Sequence, residues 1–244
     1  LLVVRESISV VIPAYNEETR IVPTLKRINA YCKKQYRQYE IIIVDDGSSD
    51  RTAELAESYG SVIKHKTNQG KGAAVKIGML AAKHARILFS DSDLATPIEE
   101  LEKLERALDT GADIAIASRN LPESDVKTTQ PFYRKLMGKL FAKIVKIVAI
   151  KEYTDTQCGF KLFTRNAARD IFIKTTINDY TFDVEVLCIA KQQGYAVQEV
   201  PVVWIDQPGS KIRPIKDSFH MLKQLLRVRR ARNNFIPSLA RRRP

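Results

Sequence analysis

The sequence predicts an α/β protein: a mostly parallel sheet flanked by helices, with basic amphipathic helices in the C-terminal half. Three observations predict it. Through the first half, short continuous apolar runs alternate with helical periodicity, the pattern of strands covered on both faces. Four of those runs lead directly into polar clusters, Pro13–Glu17, Asp45–Asp50, Asp91–Asp93 and Ser118-Arg119. Parallel sheets bind ligands there, beyond the carboxyl ends of their strands. Finally, 244 residues with 44% hydrophobic and 28% charged side chains make a folded chain able to bury one large core.

The elements follow in order. Ile8–Ile12 is a first strand, stopped by Pro13, and Ile21, Leu25 and Ile28 mark a helix face. Glu40–Val44 is a second strand, running into a polar turn that can cap the helix after it. Val62-Ile63 opens a third strand, Gly70–Lys83 is helical and Ile87–Phe89 is a fourth strand. Pro97 suits a helix start ahead of Glu99, Glu100 and Glu102. Ile114–Ala117 is a fifth strand. Further on, Leu136–Ile150 sets Leu136, Leu140, Ile144, Ile147 and Val148 on one face beside Lys139, Lys143 and Lys146. It reads either as a helix lying in a membrane interface or as a core helix with snorkelling lysines. Gln198–Ile205 is strand-like, Ile215–Arg230 is a second basic amphipathic helix, and residues 231–244 are a basic tail expected to be disordered.

Charge is unevenly placed. Residues 1–120 carry 17 Lys and Arg against 17 Asp and Glu, so the net +12 lies wholly in residues 121–244. From Lys211 onward there are 11 basic residues and a single acid, Asp217. Such a balance implies an anionic partner, or else a solvated basic face. The three cysteines (Cys32, Cys158, Cys188) are widely spaced, with no zinc spacing, so reduced thiols in a cytosol-facing protein are expected. No run reaches the roughly 20 apolar residues of a membrane span. The chain begins at Leu1, so its original start is expected to be missing; Leu1–Val4 reads as the stub of an anchor or as a first strand.

Three clusters carry chemistry. Asp91-x-Asp93 at a strand end can offer two carboxylates to Mg²⁺ or Mn²⁺, which prefer oxygen ligands shared with substrate phosphates. Within Asp45-Asp46, a strand-end carboxylate can accept hydrogen bonds from a base or sugar edge. Asp50 suits the helix cap, which leaves Asp45 for a ligand. In Asn68–Ala74 the glycines either admit an anion to a helix start or simply begin a helix; no P-loop is present. His65, His84 and His220 lie outside these clusters, so carboxylates, a metal and cationic side chains are the expected catalytic groups.

These residues resemble a family. Val11–Glu17, Val44–Thr52 and Asp91–Asp93, in that order and spacing, resemble family 2 glycosyltransferases of the nucleotide-sugar-binding GT-A fold. Asp155–Phe163, Phe182–Glu185 and Val200–Trp204 with Gly209–Lys211 resemble the dolichyl-phosphate β-glucosyltransferases and related polyprenyl-phosphate sugar transferases. The likeness covers roughly residues 7–230 and implies one domain over 1–230. Residues 1–120 would bind the nucleotide-sugar and 121–230 would face the acceptor and the membrane.

The resemblance implies metal-dependent, inverting transfer of a sugar, glucose from UDP-glucose being favoured over mannose from GDP-mannose, to a dolichyl or polyprenyl phosphate. The donor-binding set is Pro13, Tyr15, Glu17, Asp45, Asp46, Asp91, Ser92, Asp93 and Arg119. Asp91 and Asp93 would hold Mg²⁺ or Mn²⁺; Arg134, Gln157 and Lys211 would meet the acceptor; Asp93, Arg119, Arg134 and Lys211 would be catalytic. Related mannosyltransferases carry Gln two residues after the second metal-site Asp. Ala95 stands there here, which leaves a third metal ligand unassigned.

The implied location is a membrane surface, with the site facing the cytosol and the chain peripheral or anchored by a preceding segment. Processive polysaccharide synthases carry Gln-x-x-Arg-Trp, whereas the lone Trp204 follows Val203. A nucleic-acid-binding module is disfavoured, because strand-end carboxylates would repel phosphate and no nucleic-acid motif is present.

Overall fold

Strand β1 (Arg5–Ala14) lies near the centre of a seven-stranded sheet of order β3-β2-β1-β4-β7-β5-β8. Its companions are β2 (Tyr36–Asp45), β3 (Ser61–Lys64), β4 (Arg86–Ser90), β5 (Ile114–Ser118), β7 (Phe160–Thr164) and β8 (Val197–Pro201). The computed structural model describes residues 4–127, 145, 148–207 and 224–227. All pairings in this sheet are parallel except those of β7, which runs antiparallel between β4 and β5. A short parallel pair, β6 (Asp125–Lys127) with β9 (Val203–Ile205), stands beside it.

Both faces of the sheet are covered, as the continuous apolar runs require. Val11, Val44, Ile87, Phe89 and Phe163 pack with α3 (Lys71–Ala81), α5 (Arg165–Phe172) and α6 (Phe182–Gln192). On the other face Ile8, Val10, Ile12, Ile43 and Leu88 pack with α1 (Ile21–Gln35) and α4 (Leu101–Asp109). The short α2 (Thr52–Ala56) and a 3₁₀ turn at Ile98–Glu100 complete the helices among the described residues. Phe89 and Phe182 meet edge to face, centroids 5.7 Å apart, and so lock α6 to β4. At the foot of the sheet the buried Glu105 carboxylate of α4 gathers Tyr36 Oη (2.7 Å), Arg5 (3.1 Å) and Arg86. A buried carboxylate without such partners would cost several kcal/mol, roughly 3–5 for a broken pair.

Two expectations are corrected. Pro13 does not stop the first strand but lies in it, paired with Val44. Strand β1 meets β4 only over Ser9–Val11, so by Pro13 its pairing is one-sided, and a residue without an N–H is tolerated. Gln198–Ile205 is two strands in two different sheets, broken at Val202. The expected helix Leu136–Ile150 is described only at Val145 and Val148–Ile150, where Val145, Ala149 and Ile150 are buried. Arg134, Lys211 and the tail lie outside the described residues, as does most of Ile215–Arg230, of which Leu225 is buried in the core.

Candidate active site

The strand order reverses beside β1: β2 and β3 extend one way, β4 and the rest the other. That crevice is the topological switch point where open α/β sheets bind ligands. The loops after β1, β2, β4 and β5 all open at this edge. Antiparallel β7 brings a further one, because Phe160 at its start pairs with Ser90 at the end of β4. Segment 155–159 therefore arrives beside Asp91, whose N–H donates to Gly159 O at 2.9 Å. Parallel β8 ends opposite Ser118 and delivers Trp204 to the same edge.

The first two loops are stitched together. Asn16, at φ 52°, donates its N–H to Ser48 Oγ (2.8 Å) and accepts from Ser49 N–H at Oδ1 (2.8 Å); Glu17 N–H donates to Thr52 Oγ1 (2.7 Å). Tyr15 is exposed on this rim, whereas Pro13 is buried in its strand. Asp45 is buried, and its carboxylate accepts from the Ser48 hydroxyl and N–H. Asp50 accepts from Thr52 N–H at 2.9 Å and so caps α2 from one residue ahead of the cap position.

Both Asp46 oxygens meet the segment between β3 and α3. One oxygen accepts from Gln69 N–H (2.9 Å) and meets His65 Nδ1 (2.6 Å); the other accepts from Gly70 N–H (2.8 Å). His65 thus joins the Asp45–Asp46 cluster, contrary to the expectation that the histidines stand apart. A strand-end His one position past β3 is adjacent to β2 by register, a signal that spacing alone hides. The glycines at the start of α3 serve helix packing. A Cβ on Gly72 would overlap the Ile177 carbonyl and approach Phe182 Cβ to 2.7 Å, and Gly72 N–H donates to Asn178 O at 2.7 Å.

Asp91 and Asp93 flank a small cavity lined also by Thr96, Gly159 and Trp204. A Cβ on Gly159 would overlap the Asp91 carboxylate, so only glycine leaves Asp91 its place. Ser92 is buried, its carbonyl taken by Thr24 Oγ1 of α1 at 2.7 Å. Asp93 Oδ1 accepts from Ala95 N–H at 3.0 Å, and the intervening Leu94 holds a φ of 47°, unusual for a residue with a branched side chain. Burial, and then repulsion from Asp91, raise the Asp93 pKa above the ordinary carboxyl value.

Cations surround these carboxylates. Lys71 Nζ lies 2.6 Å from Asp91 Oδ1. Burial lowers its pKa, but Asp91 and Asp183 outweigh that and hold the ammonium above its usual value. Arg20 pairs with Glu17 (Nη2 to Oε1 2.8 Å), and that bond raises its pKa; Asp93 and Asp91 add to the effect. Arg119 donates to Asp155 through Nε (2.7 Å), Nη2 (2.9 Å) and its backbone N–H (2.9 Å), and stacks 5.5 Å from the Trp204 ring. Glu199 of β8 fixes Asp155 in turn, accepting its N–H at 3.0 Å. Gln157 turns its side-chain amide to Tyr180 O at 3.3 Å. Beneath the site, Lys161 and Asp183 form a buried pair, and Lys161 also donates to Cys158 O at 2.6 Å.

Sequence reading assembled Asp45, Asp91, Asp93 and Arg119 at this edge but did not select Lys71, Arg20 or Trp204. Lys71 carries a signal in the Gly70-Lys71-Gly72 setting; Arg20 and Trp204 carry none that spacing reveals.

Two carboxylates form a hard oxygen donor set that Mg²⁺ or Mn²⁺ accepts when substrate phosphates complete the shell. Burial and the neighbouring Asp91 both disfavour the Asp93 carboxylate, a cost that such an ion would offset. Among the described residues, no group of three or more His, Cys, Asp or Glu forms a complete protein cage. The residues fit a shared ion rather than a closed one. No helix among the described residues is long and apolar enough to cross a membrane.

Residues 9–172 match the family described as Glycosyl transferase family 2. The chain is 38% identical to a dolichyl-phosphate beta-glucosyltransferase of Dictyostelium discoideum, covering 91% of this chain and 73% of that protein. It is 36% identical to the Homo sapiens enzyme of that name (92% and 75%) and 34% to that of Saccharomyces cerevisiae (92% and 74%). In fold it is similar to glucosyl-3-phosphoglycerate synthase from Mycobacterium tuberculosis, solved with Mn²⁺, UDP-glucose and phosphoglyceric acid. The TM-score is 0.73 at 18% identity, covering 95% of this chain and 81% of that one. Fold and site define a GT-A glycosyltransferase. The chain belongs to glycosyl transferase family 2, and about nine-tenths of its length is similar to the dolichyl-phosphate beta-glucosyltransferases.

Proposed function

We propose that this enzyme transfers glucose from UDP-glucose to a dolichyl or related polyprenyl phosphate at a membrane surface. Transfer inverts the anomeric centre and uses Mg²⁺ or Mn²⁺ at Asp91 and Asp93. The observation that carries the proposal is the convergence, at one sheet edge, of Asp91 and Asp93 with Lys71, Arg20 and Arg119. This occurs in a chain at least a third identical to named dolichyl-phosphate beta-glucosyltransferases over nine-tenths of its length.

The acceptor would be a phosphate monoester, already mostly dianionic near neutral pH because its second pKa is about 6. It needs no general base. Its oxygen attacks the anomeric carbon, the bond from that carbon to the donor diphosphate breaks, and the nucleoside diphosphate leaves with the electron pair. A single displacement converts an α-linked donor into a β-linked product. The difficulty is bringing a dianion up to a diphosphate. Arg119 offsets it: with Nε and Nη2 held by Asp155, its Nη1 has no protein partner among the described residues and would meet a phosphate oxygen. Arg134 and Lys211 are proposed to add charge at the acceptor, and Gln157 to border it. A divalent ion at Asp91 and Asp93, when bound, would supply Lewis-acid stabilisation to the leaving diphosphate. Tyr15, Glu17 and Asp45 line the rim proposed for base and ribose, with Pro13 beneath and Asp46 bracing the neighbouring loop from behind.

The test is transfer of radiolabel from UDP-glucose to polyprenyl phosphate, followed by lipid extraction. Label in the organic phase is expected. Label only from GDP-mannose would shift the reading to a mannosyltransferase. Label confined to water-soluble polymer or protein would move the acceptor, and none at all would overturn the proposal.

A further inference from the structure

Asp91, one of the two proposed metal carboxylates, already holds a cation. Lys71 Nζ sits 2.6 Å from its Oδ1 and lies over the rings of Phe89 and Tyr180, 5.5 and 6.0 Å from their centroids. Its place is set by backbone as well as charge. Lys71 opens α3, and that turn is seated by Gly70 and Gly72, whose absent side chains let it close on Asn178 and Ile177. On the far side Gly159 leaves room for the Asp91 carboxylate alone. The pair is nevertheless open to solvent, with side-chain exposures of 21% for Lys71 and 32% for Asp91, so a hydrated ion can reach it.

We propose that Lys71 is a built-in counter-cation that competes with the divalent ion for Asp91, so that metal binds tightly only once a nucleoside diphosphate is present. The proposal rests on Asp91 and Asp93 being the metal carboxylates. An ammonium at hydrogen-bond distance neutralises the ligand and repels a second cation. A diphosphate offers new negative oxygens, so both cations find partners at once. The coupling is reciprocal: the factor by which diphosphate tightens the metal is the factor by which metal tightens diphosphate. Removing the ammonium charge should tighten metal binding to the nucleotide-free enzyme and shrink that coupling. A lysine that merely shaped the site would act in the opposite sense, because its loss would loosen the metal.

Mn²⁺ binding, followed by the paramagnetic resonance of the free ion, tests this with and without UDP, corrected for Mn²⁺–UDP formed in solution. Lys71→Gln is expected to bind Mn²⁺ about tenfold tighter than the parent without UDP, and to gain less from UDP. Lys71→Arg, which keeps the charge, should follow the parent. Equal or weaker binding by a folded Lys71→Gln protein overturns the proposal. So does a parent whose Mn²⁺ affinity is indifferent to UDP, a measurement that needs no variant to fold. Asp93→Asn separates this from the metal assignment. If that variant loses Mn²⁺ binding in the presence of UDP, the assignment stands whatever Lys71 does. If Mn²⁺ binding ignores Asp93→Asn, the assignment falls and the counter-cation role falls with it.

Discussion

Asp93 sits in a competition between charge and burial: its neighbours Lys71 and Arg20 favour the carboxylate, but burial and Asp91 raise its pKa. Replacing it by Asn removes the charge and keeps the shape. Asp93→Asn should lower kcat/KM for transfer by about 100-fold or more with little change in melting temperature. EDTA should abolish transfer by the parent, and Mg²⁺ or Mn²⁺ should restore it. Full activity of a folded Asp93→Asn enzyme would remove the residue from the chemistry. Asp155 differs in sign. Burial pushes its carboxyl up, yet the Arg119 charge and hydrogen bonds win and hold it below the ordinary value. A carboxyl depressed in the folded state adds stability that is fully present above the unfolded value, about 3.9, and is lost as pH falls through the folded one. Asp155→Asn should therefore destabilise the fold at pH 7 and do so progressively less as pH falls below about 4, read by urea unfolding. It should also lower kcat, because Arg119 loses the partner that aims it. The carboxylates Asp45, Asp91 and Asp93 were legible because they lie in polar clusters at the ends of apolar runs. Trp204 and Arg20 were not, because what makes them part of the site is a neighbour distant in sequence or a turn of backbone.

At the scale of elements, the start of α3 is the most sensitive junction. Gly72 abuts Ile177 and Phe182, and Gly70 holds a φ of 101°. Gly72→Ala should destabilise the fold by about 1–3 kcal/mol, since inserting a methyl group here displaces backbone rather than a flexible side-chain end. It should also weaken donor use by moving Lys71; unchanged urea midpoint and kinetics would show that the junction yields. Here the sequence was ambiguous. Glycines at a helix start serve an anion or a close helix contact equally well, and the structure chose the contact. The strand runs were legible as buried strands, but β7 was not legible as antiparallel. Its run Phe160–Thr164 is buried except at its last residue, which is how a parallel strand also looks. That reversal is what carries Asp155 to Arg119. Likewise Glu199 and Trp204 reach the site only because β8 pairs with β5 and the chain then crosses to pair with β6.

For the molecule as a whole, the balance of charge is the most direct link to a surface. The net +12 falls entirely after residue 120, and each Lys or Arg near an anionic leaflet contributes roughly 1 kcal/mol. The protein should co-sediment with vesicles containing anionic lipid, less with neutral vesicles, and partly dissociate in high salt. Absence of sedimentation with any vesicle would refute membrane association through this chain. By itself the sequence determined the α/β class, the doubly covered sheet, the four strand-end clusters and the family, because these are carried by local periodicity and by motifs contiguous in the chain. Only the tertiary structure decided which charges face which. Asp46 is spent on His65 and the loop to Gly70, Asp155 aims Arg119, and Lys71 rests on Asp91. The physical reason is that an ion pair depends on distance in space, and each of these distances is set by strand order, by strand direction and by glycines that let backbones close.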